Sequence, residues 1–310
     1  MLRISLLDRA TLGDTSLDPI AALGALTCYD TTSPDEVEAR IADAEVIITN
    51  KVVIGRKEMD AAPHLRLICI AATGTNNIDL DYAAERGIPV RNVAGYSTES
   101  VVQTTFMHLL NLMGHAAHYD HYIKSGAYSH SRLFTYMGCS WSELCGKRLG
   151  IIGLGTIGTR VATIAEAFGM EVVYYPTSGK AHNDRYPALS LDELLSTADV
   201  VSIHAPLNDR TRNLLGYDEL CRMKPTAILL NSGRGGIVHE TALAQALDEG
   251  RLAGAGLDVF AVEPLPADSP LLSVAHPERL SLTPHTAWAS REARERLVAK
   301  IAENIRTTIM

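Results

Sequence analysis

Three glycines at G-x-G-x-x-G spacing, Gly153, Gly155 and Gly158, lie between a short apolar run and a helical pattern. The apolar run covers residues 149–152, the helical pattern ends at Gly169, and residues 171–175 read as the next strand. In a βαβ unit of about 30 residues, such glycines allow a tight turn, close approach of the backbone to a pyrophosphate, and close helix–strand packing. The helix N-terminus adds unpaired N–H groups and a positive dipole end. We therefore predict a dinucleotide site; the alternative is a tight strand–helix turn without a ligand.

Composition argues against several other classes of protein. The chain has 310 residues, enough for two domains, and its net charge of −8 without a dense Lys/Arg run argues against nucleic acid as a partner. No apolar stretch approaches the roughly 20 residues needed to span a bilayer, and residues 1–8 read as a strand instead of a signal peptide. The five cysteines are scattered without C-x-x-C spacing. We therefore expect reduced thiols, a cytoplasmic protein and no metal site.

Short apolar runs alternate with helical patterns along the chain, which is typical of parallel sheets covered by helices. The predicted strands are residues 3–7, 25–29, 46–49, 67–70 and 88–91, and then 149–152, 171–175, 200–204, 227–230, 253–257 and 280–282. The fold class we predict is α/β, with two doubly wound parallel-sheet domains. A helix over 98–113 would cross between the domains, and a helix over 289–307 would return to the first.

Residues 118–142 are rich in aromatic, His and Ser residues and have no clean period. An extended arm that covers a neighbouring subunit would explain so many aromatic side chains outside a regular element. A loop packed on its own domain explains them equally well.

Polar residues follow three successive strands of the second series: Arg234 between glycines, the carboxylates Asp258 and Glu263, and His285. Because ligands of a doubly wound sheet lie beyond the carboxyl ends of its strands, these side chains belong to one candidate site. An arginine fork suits a carboxylate, and the His285 imidazolium, favoured and oriented by Glu263, can protonate a developing alkoxide. Taken alone, each of these residues has another interpretation. His285 could be structural, Arg234 could contact a phosphate, and Glu263-Pro264 could form a turn. Together they predict reduction of a 2-oxo acid.

At these residues the chain resembles the D-isomer-specific 2-hydroxyacid dehydrogenases, and the resemblance covers essentially its whole length. It rests on four motifs: Gly153-Leu154-Gly155-Thr156-Ile157-Gly158, Asn231-Ser232-Gly233-Arg234-Gly235, Asp258-Val259-Phe260 with Glu263-Pro264, and Pro284-His285-Thr286-Ala287-Trp288. The resemblance implies a split substrate-binding domain, residues 1–97 plus 285–310, and an NAD(P)-binding Rossmann domain, residues 98–284. The active site would lie in the cleft between them, and the protein would be a homodimer. Family members usually run somewhat beyond the closing helix, and the shorter tail here has no expected catalytic consequence.

The resemblance also assigns roles to individual residues. It implies Arg234 as the anchor of the substrate carboxylate, His285 as the acid/base and Glu263 as its partner. Cofactor contacts are implied for Gly153, Gly155, Thr156, Ile157, Gly158, His204, Ala205, Pro206, Thr211, Asn231, Ser232, Gly233, Asp258 and Ala287. Substrate contacts are implied for Thr73 and Gly74, through their backbone N–H groups, and for Arg234 and His285. Lys51 could reach an anionic or hydroxylated substrate, or be an ordinary exposed lysine.

Within the family, residues 72–79 and 92–98 resemble bacterial glycerate dehydrogenases, also called hydroxypyruvate reductases. The function predicted is hydride transfer between a nicotinamide cofactor and a small 2-oxo acid such as hydroxypyruvate or glyoxylate. The alternative is a dinucleotide-sensing protein like the corepressors that share this fold. A formate dehydrogenase is disfavoured because that branch carries an amide at the position of Glu263.

The second strand of the βαβ unit leaves the choice of cofactor open. An NAD site usually places Asp or Glu about 20 residues past the glycines, on the ribose hydroxyls. Here residues 174–180 contain no acid. Thr177, Ser178 and Lys180 could accept a 2′-phosphate, so both NAD and NADP fit.

Overall fold

The computed structural model describes residues 1–181 and 183–309. Its strands are β1 (Leu2–Leu6), β2 (Gly24–Cys28), β3 (Val46–Thr49), β4 (Leu67–Ile70), β5 (Val90–Arg91), β6 (Arg148–Ile152), β7 (Glu171–Tyr175), β8 (Val200–Ile203), β9 (Ile228–Asn231), β10 (Gly254–Leu257) and β11 (Leu280–Leu282). Its helices are α1 (Asp18–Ala21), α2 (Val37–Ile41), α3 (Arg56–Asp60), α4 (Leu80–Glu85), α5 (Thr98–Gly114), α6 (Ala116–Lys124), α7 (Thr156–Ala167), α8 (Leu191–Thr197), α9 (Tyr217–Arg222), α10 (Glu240–Asp248) and α11 (Arg291–Ile309).

These elements divide into two compact units, Met1–Ser97 with the chain from Ala289 onward, and Thr98–Trp288. The boundary that we predicted between residues 284 and 285 lies four residues further along. Residues 285–288 stay with the second unit because the Asp258 carboxylate accepts hydrogen bonds from the backbone N–H groups of Thr286 and Ala287. The carbonyl of Ala287 in turn accepts a hydrogen bond from Ser100 on α5.

The first unit is a five-stranded parallel sheet in the order β2-β1-β3-β4-β5. Its central strands β3 and β4 are buried along their whole length, which explains their uninterrupted apolar sequences. Helix α11 contacts β4 and α1 through an apolar stripe at helical spacing that includes Leu297, Ile301 and Ile305. Its Arg294 guanidinium donates to the carbonyl of Leu12 at 2.7 Å, which ties the closing helix to the first part of the chain.

The second unit is a six-stranded parallel sheet in the order β11-β10-β9-β8-β6-β7. Helix α5 packs on β9, β10, β11 and α7. The strand order reverses between β6 and β8, and doubly wound sheets bind ligands at the carboxyl end of such a reversal. The predicted fold class, two doubly wound parallel sheets, is confirmed, and every predicted strand bound lies within two residues of the observed one.

The aromatic-rich segment is more regular than we predicted. Residues 116–124 form α6, and none of its residues is buried. The prediction of a segment without regular structure is therefore wrong for these residues. Tyr122 of α6 stacks on Tyr136 with ring centroids 4.1 Å apart, while Phe134 and Met137 stay exposed.

Across residues 1–181 and 183–309, we find no helix whose length and apolar character would let it cross a membrane.

Candidate active site

The turn between β6 and α7 has the features that a diphosphate needs. Gly153 has a φ of +90°, and a Cβ at Gly158 would collide with the Gly153 carbonyl oxygen, so neither position admits a side chain without strain. A Cβ at Gly155 would meet nothing within 4 Å. As N-cap of α7, Gly155 offers no capping side chain, so the first N–H groups, those of Thr156 and Ile157, suit phosphate oxygens. The residues present therefore fit the diphosphate of a dinucleotide.

The loop after β8 adjoins this turn, since a Cβ on Gly153 would lie 3.0 Å from Ala205. The His204 ring, however, points into the unit. Its Nε2 lies 2.8 Å from the hydroxyl of Ser202 on β8, and its Nδ1 is buried without a hydrogen-bond partner among the described residues. Burial lowers the pKa of His204 to about 4, so the ring is neutral at neutral pH. His204 as a residue is half-buried, and its implied place on the adenosine side of the cofactor stays a prediction.

Thr211 also differs from the role that the resemblance implies. It is fully buried, its hydroxyl donates to the carbonyl of Pro206 at 2.7 Å, and it accepts from the N–H of Asn208 at 2.9 Å. Thr211 therefore shapes the turn over residues 206–211. Of the residues implied at this side, Pro206 remains exposed.

A surface depression of about 390 Å³ lies beyond the ends of β7 and β8. Its lining residues are Thr177, Ser178, Pro206, Asn208, Asp209 and Arg210. Arg210 donates to the carbonyl of Ser178 at 2.9 Å, which joins the two loops. The structure thus brings Thr177 and Ser178 together with an arginine that sequence reasoning missed. Lys180 is not among the lining residues; its backbone N–H approaches the Ser178 hydroxyl at 3.4 Å.

The loop after β9 fixes the backbone of Arg234. The Asn231 amide donates to the Arg234 carbonyl at 2.9 Å and accepts from the N–H of Gly233 at 3.1 Å. Gly235 lies so close to the Phe260 carbonyl that a Cβ there would overlap it. Within the described part of the chain, Arg234 forms no ion pair, and its hydrogen bond to the Gly233 carbonyl at 2.8 Å uses one of the five guanidinium N–H groups. The others suit an anionic ligand.

Glu263 and His285 form a close pair. His285 Nδ1 lies 2.6 Å from Glu263 Oε2, and Glu263 Oε1 accepts from the N–H of Phe260 at 2.9 Å. About a quarter of the His285 side chain, 24%, remains accessible. Because a carboxylate only accepts, Nδ1 carries a proton and Nε2 is the nitrogen that can exchange one with a ligand. The loops that carry Arg234 and Glu263 adjoin through Gly235 and Phe260.

Asp258 lies beneath this pair and differs from its implied role at the cofactor. It is 1% exposed, and its carboxylate accepts from the backbone N–H groups of Thr286 and Ala287 at 2.8 and 2.9 Å. The N–H of His285 donates to the Asp258 carbonyl at 2.8 Å, and His285 itself has a φ of +53°. Asp258 therefore holds the backbone of the histidine loop in a conformation that few non-glycine residues adopt. Its side chain is not presented to a ligand.

In the first unit, Lys51 lies in a loop that a buried carboxylate holds. Asp8 accepts from the backbone N–H groups of Asn50 and Lys51 at 2.8 and 2.7 Å. Sequence reasoning missed this role of Asp8, although its position directly after the first strand could have signalled it. Thr73 is exposed and Gly74 half-buried. The Thr73 hydroxyl donates to the Val93 carbonyl at 3.1 Å.

Comparison with known proteins finds a matching family and relatives of similar length. Residues 106–287 match the family described as D-isomer specific 2-hydroxyacid dehydrogenase, NAD binding domain. The chain is 36% identical over 311 residues to a hydroxypyruvate reductase of Blautia hydrogenotrophica, covering 98% of this chain and 96% of that one.

Solved structures agree over the full length. The TT0316 protein of Thermus thermophilus has a TM-score of 0.89 and 35% identity, covering 99% of this chain and 97% of that chain. An NADPH-dependent glyoxylate/hydroxypyruvate reductase of Sinorhizobium meliloti has a TM-score of 0.82 and 27% identity, covering 99% and 94%.

Proposed function

The chain belongs to the D-isomer-specific 2-hydroxyacid dehydrogenases, and from that membership we propose that it reduces small 2-oxo acids, with hydroxypyruvate and glyoxylate preferred. The observation that carries the proposal is the His285–Glu263 pair at 2.6 Å, on a loop next to that of Arg234. The similarity to a hydroxypyruvate reductase supports the choice of substrate. Glycerate and glycolate would be the products.

The roles of the chain's own residues follow from their hydrogen bonds. A bound nicotinamide dinucleotide supplies the hydride that reduces the carbonyl carbon. Arg234 binds the substrate carboxylate through guanidinium N–H groups that the protein leaves unused. His285 donates the Nε2 proton to the carbonyl oxygen as negative charge develops there. The neutral ring that remains keeps its other proton on Nδ1, which stays hydrogen-bonded to the Glu263 carboxylate. Solvent then reprotonates Nε2, which balances the reaction. Substrate contacts from Lys51, Thr73 and Gly74 stay predictions.

The direct test is to assay a panel of 2-oxo acids with NADH and with NADPH. Turnover is measured as the loss of absorbance of the reduced nicotinamide. We expect higher kcat/KM for hydroxypyruvate and glyoxylate than for pyruvate or 2-oxoglutarate, and a product of D configuration on chiral chromatography. If the folded protein binds the dinucleotide but turns over none of these acids, the proposal is contradicted and a dinucleotide-sensing protein is favoured.

For the cofactor, we expect NADPH to be preferred over NADH. The depression beyond β7 offers the hydroxyl of Thr177 and the guanidinium of Arg210 to a 2′-phosphate, whereas the Ser178 hydroxyl donates to the Lys180 carbonyl at 3.1 Å. Asp209 is the one acidic residue of the lining. Replacing Arg210 with alanine should raise KM for NADPH roughly 10- to 100-fold, the range of one charge-assisted hydrogen bond, and leave KM for NADH nearly unchanged. Steady-state kinetics with both cofactors measures this. R212A, which removes an exposed arginine outside the depression, is the matched control. A wild-type preference for NADH would overturn the assignment.

For the assembly, we propose a homodimer that buries the exposed apolar side chains of residues 123–141. Phe134 is 92% exposed, and Leu133, Met137 and Trp141 are also exposed, which is unusual for an apolar cluster on a monomer. Light scattering after size-exclusion chromatography should give twice the 33.5 kDa chain mass. The F134E/M137E variant should give a single chain mass with an unchanged far-UV spectrum. A monomeric wild-type protein would contradict the proposal.

A further inference from the structure

A buried histidine of α5 lies next to the loop that carries His285. His108 is 1% exposed. Its Nε2 is 3.1 Å from the Thr283 hydroxyl, and its Nδ1 is 2.8 Å from the Ser281 hydroxyl. Both partners belong to the segment that leads through β11 into the histidine loop. An imidazole in this position is not explained by packing, since an apolar side chain would bury the same surface at lower cost.

Hydrogen bonds connect Asn111, Ser281, His108, Thr283 and Asp258 in that order. The Asp258 carboxylate determines which group donates in the bonds next to it. The Thr283 hydroxyl lies 2.6 Å from Asp258 Oδ1, and both Asp258 oxygens already accept backbone N–H groups. The carboxylate accepts, so Thr283 donates its one proton to Asp258. Its oxygen must then accept from His108 Nε2.

The hydrogen bonds at the opposite end, around Ser281, are compatible with this direction. The N–H of Ala117 donates to Asn111 Oδ1 at 3.1 Å, which fixes the orientation of the amide. Asn111 Nδ2 therefore donates to the Ser281 hydroxyl, at 3.2 Å. The Ser281 oxygen accepts from Asn111 and can still donate its own proton to His108 Nδ1 when the ring is neutral. Because Nε2 must donate to Thr283, a neutral His108 carries its proton on Nε2.

Burial favours the neutral form of the His108 ring. Desolvation lowers the pKa of His108, and the Asp258 charge opposes this shift with a smaller effect. The side chains that bond to the ring, Ser281 and Thr283, are uncharged, and Gly256 of β10 lies against its Cβ.

We propose that His108, as the neutral Nε2–H tautomer, is a positioning residue of the reductase: through Thr283 it fixes the Asp258 carboxylate and hence the backbone of the His285 loop. The inference rests on the proposed function for its kinetic consequence. His108 does not touch the reacting atoms. Its expected effect is on kcat, because the Nε2 proton of His285 must be aligned when the carbonyl oxygen gains charge.

Two replacements of His108 separate a positioning role from a packing role. Glutamine places its amide nitrogen near the position of Nε2 and can still donate to Thr283, whereas asparagine reaches only the position of Nδ1. We expect H108N to lower kcat about five- to tenfold, as loss of one hydrogen bond predicts, with KM for the cofactor unchanged. H108Q should recover most of the loss. T283V should resemble H108N, and T283S should resemble wild type.

Equal kcat values for H108N and H108Q, whether reduced or unchanged, would overturn the proposal.

A readout that needs no turnover separates this failure from failure of the proposed function. Long-range ¹H–¹⁵N NMR at pH 7 should show the His108 ring, identified by its loss in H108N, as the neutral Nε2–H tautomer. T283V should shift its Nε2 resonance more than its Nδ1 resonance. A charged ring or an Nδ1–H tautomer would refute the inference even in a protein with normal reductase activity, and a correct tautomer in a protein without turnover would contradict only the proposed function.

Discussion

Replacing His285 with alanine is expected to lower kcat for 2-oxo acid reduction by about 10²- to 10⁴-fold, the usual contribution of a general acid. His285 Nδ1 is committed to Glu263 at 2.6 Å, so Nε2 supplies the proton and alanine leaves the alkoxide without a donor. KM for the cofactor should change little. Steady-state kinetics with varied 2-oxo acid and varied cofactor measures both effects.

The chain offers a matched control for this experiment. His276 forms a similar pair with Glu278, 3.1 Å apart, at the surface, and H276A should keep wild-type kinetics. His285 has a positive φ, a conformation in which asparagine is favoured. H285N should therefore fold at least as well as H285A and be as inactive. Near-normal turnover in either variant would contradict the assignment of His285 as the acid.

The parts of this site that sequence predicted are those determined by local backbone chemistry. Gly153 and Gly158 are at positions that a side chain would strain, and that requirement is visible in the spacing alone. The strand ends that deliver Arg234, Glu263 and His285 follow from alternating apolar runs and helices, because parallel strands present their carboxyl ends at one edge.

The parts that sequence did not predict depend on side-chain direction and on contacts between distant segments. Nothing in the local sequence shows that the nitrogens of the His204 ring and the Thr211 hydroxyl turn inward: His204 directly follows β8, and Thr211 lies in the turn over residues 206–211. His108 meets Thr283 across 175 residues. Helix α6 has no buried residue, and its aromatic, His-rich sequence did not indicate a helix.

Arg234 carries the second large expected effect. R234A should lower kcat/KM for a 2-oxo acid by about 10²- to 10⁴-fold, the sum of two hydrogen bonds to a charged group. R234K should fall in between, because an ammonium keeps the charge without the planar fork. KM for the cofactor should stay near the wild-type value, since Asn231 and the close approach of Gly235 to Phe260 hold the loop and the guanidinium adds one hydrogen bond, to the Gly233 carbonyl.

A pair of substrates isolates the contact between Arg234 and the carboxylate. A 2-oxo acid and its uncharged 2-oxo amide have the same reacting carbonyl and differ only in the group that Arg234 binds. The wild-type enzyme should prefer the acid strongly, and R234A should lose most of that preference while its rate with the amide changes little. An equal loss of activity on both substrates would show that Arg234 acts on the reacting centre or on the fold of the loop. Because Arg234 has no ion pair within the described part of the chain, its replacement leaves no protein carboxylate unpaired, and the difference between the two substrates measures recognition of the substrate charge.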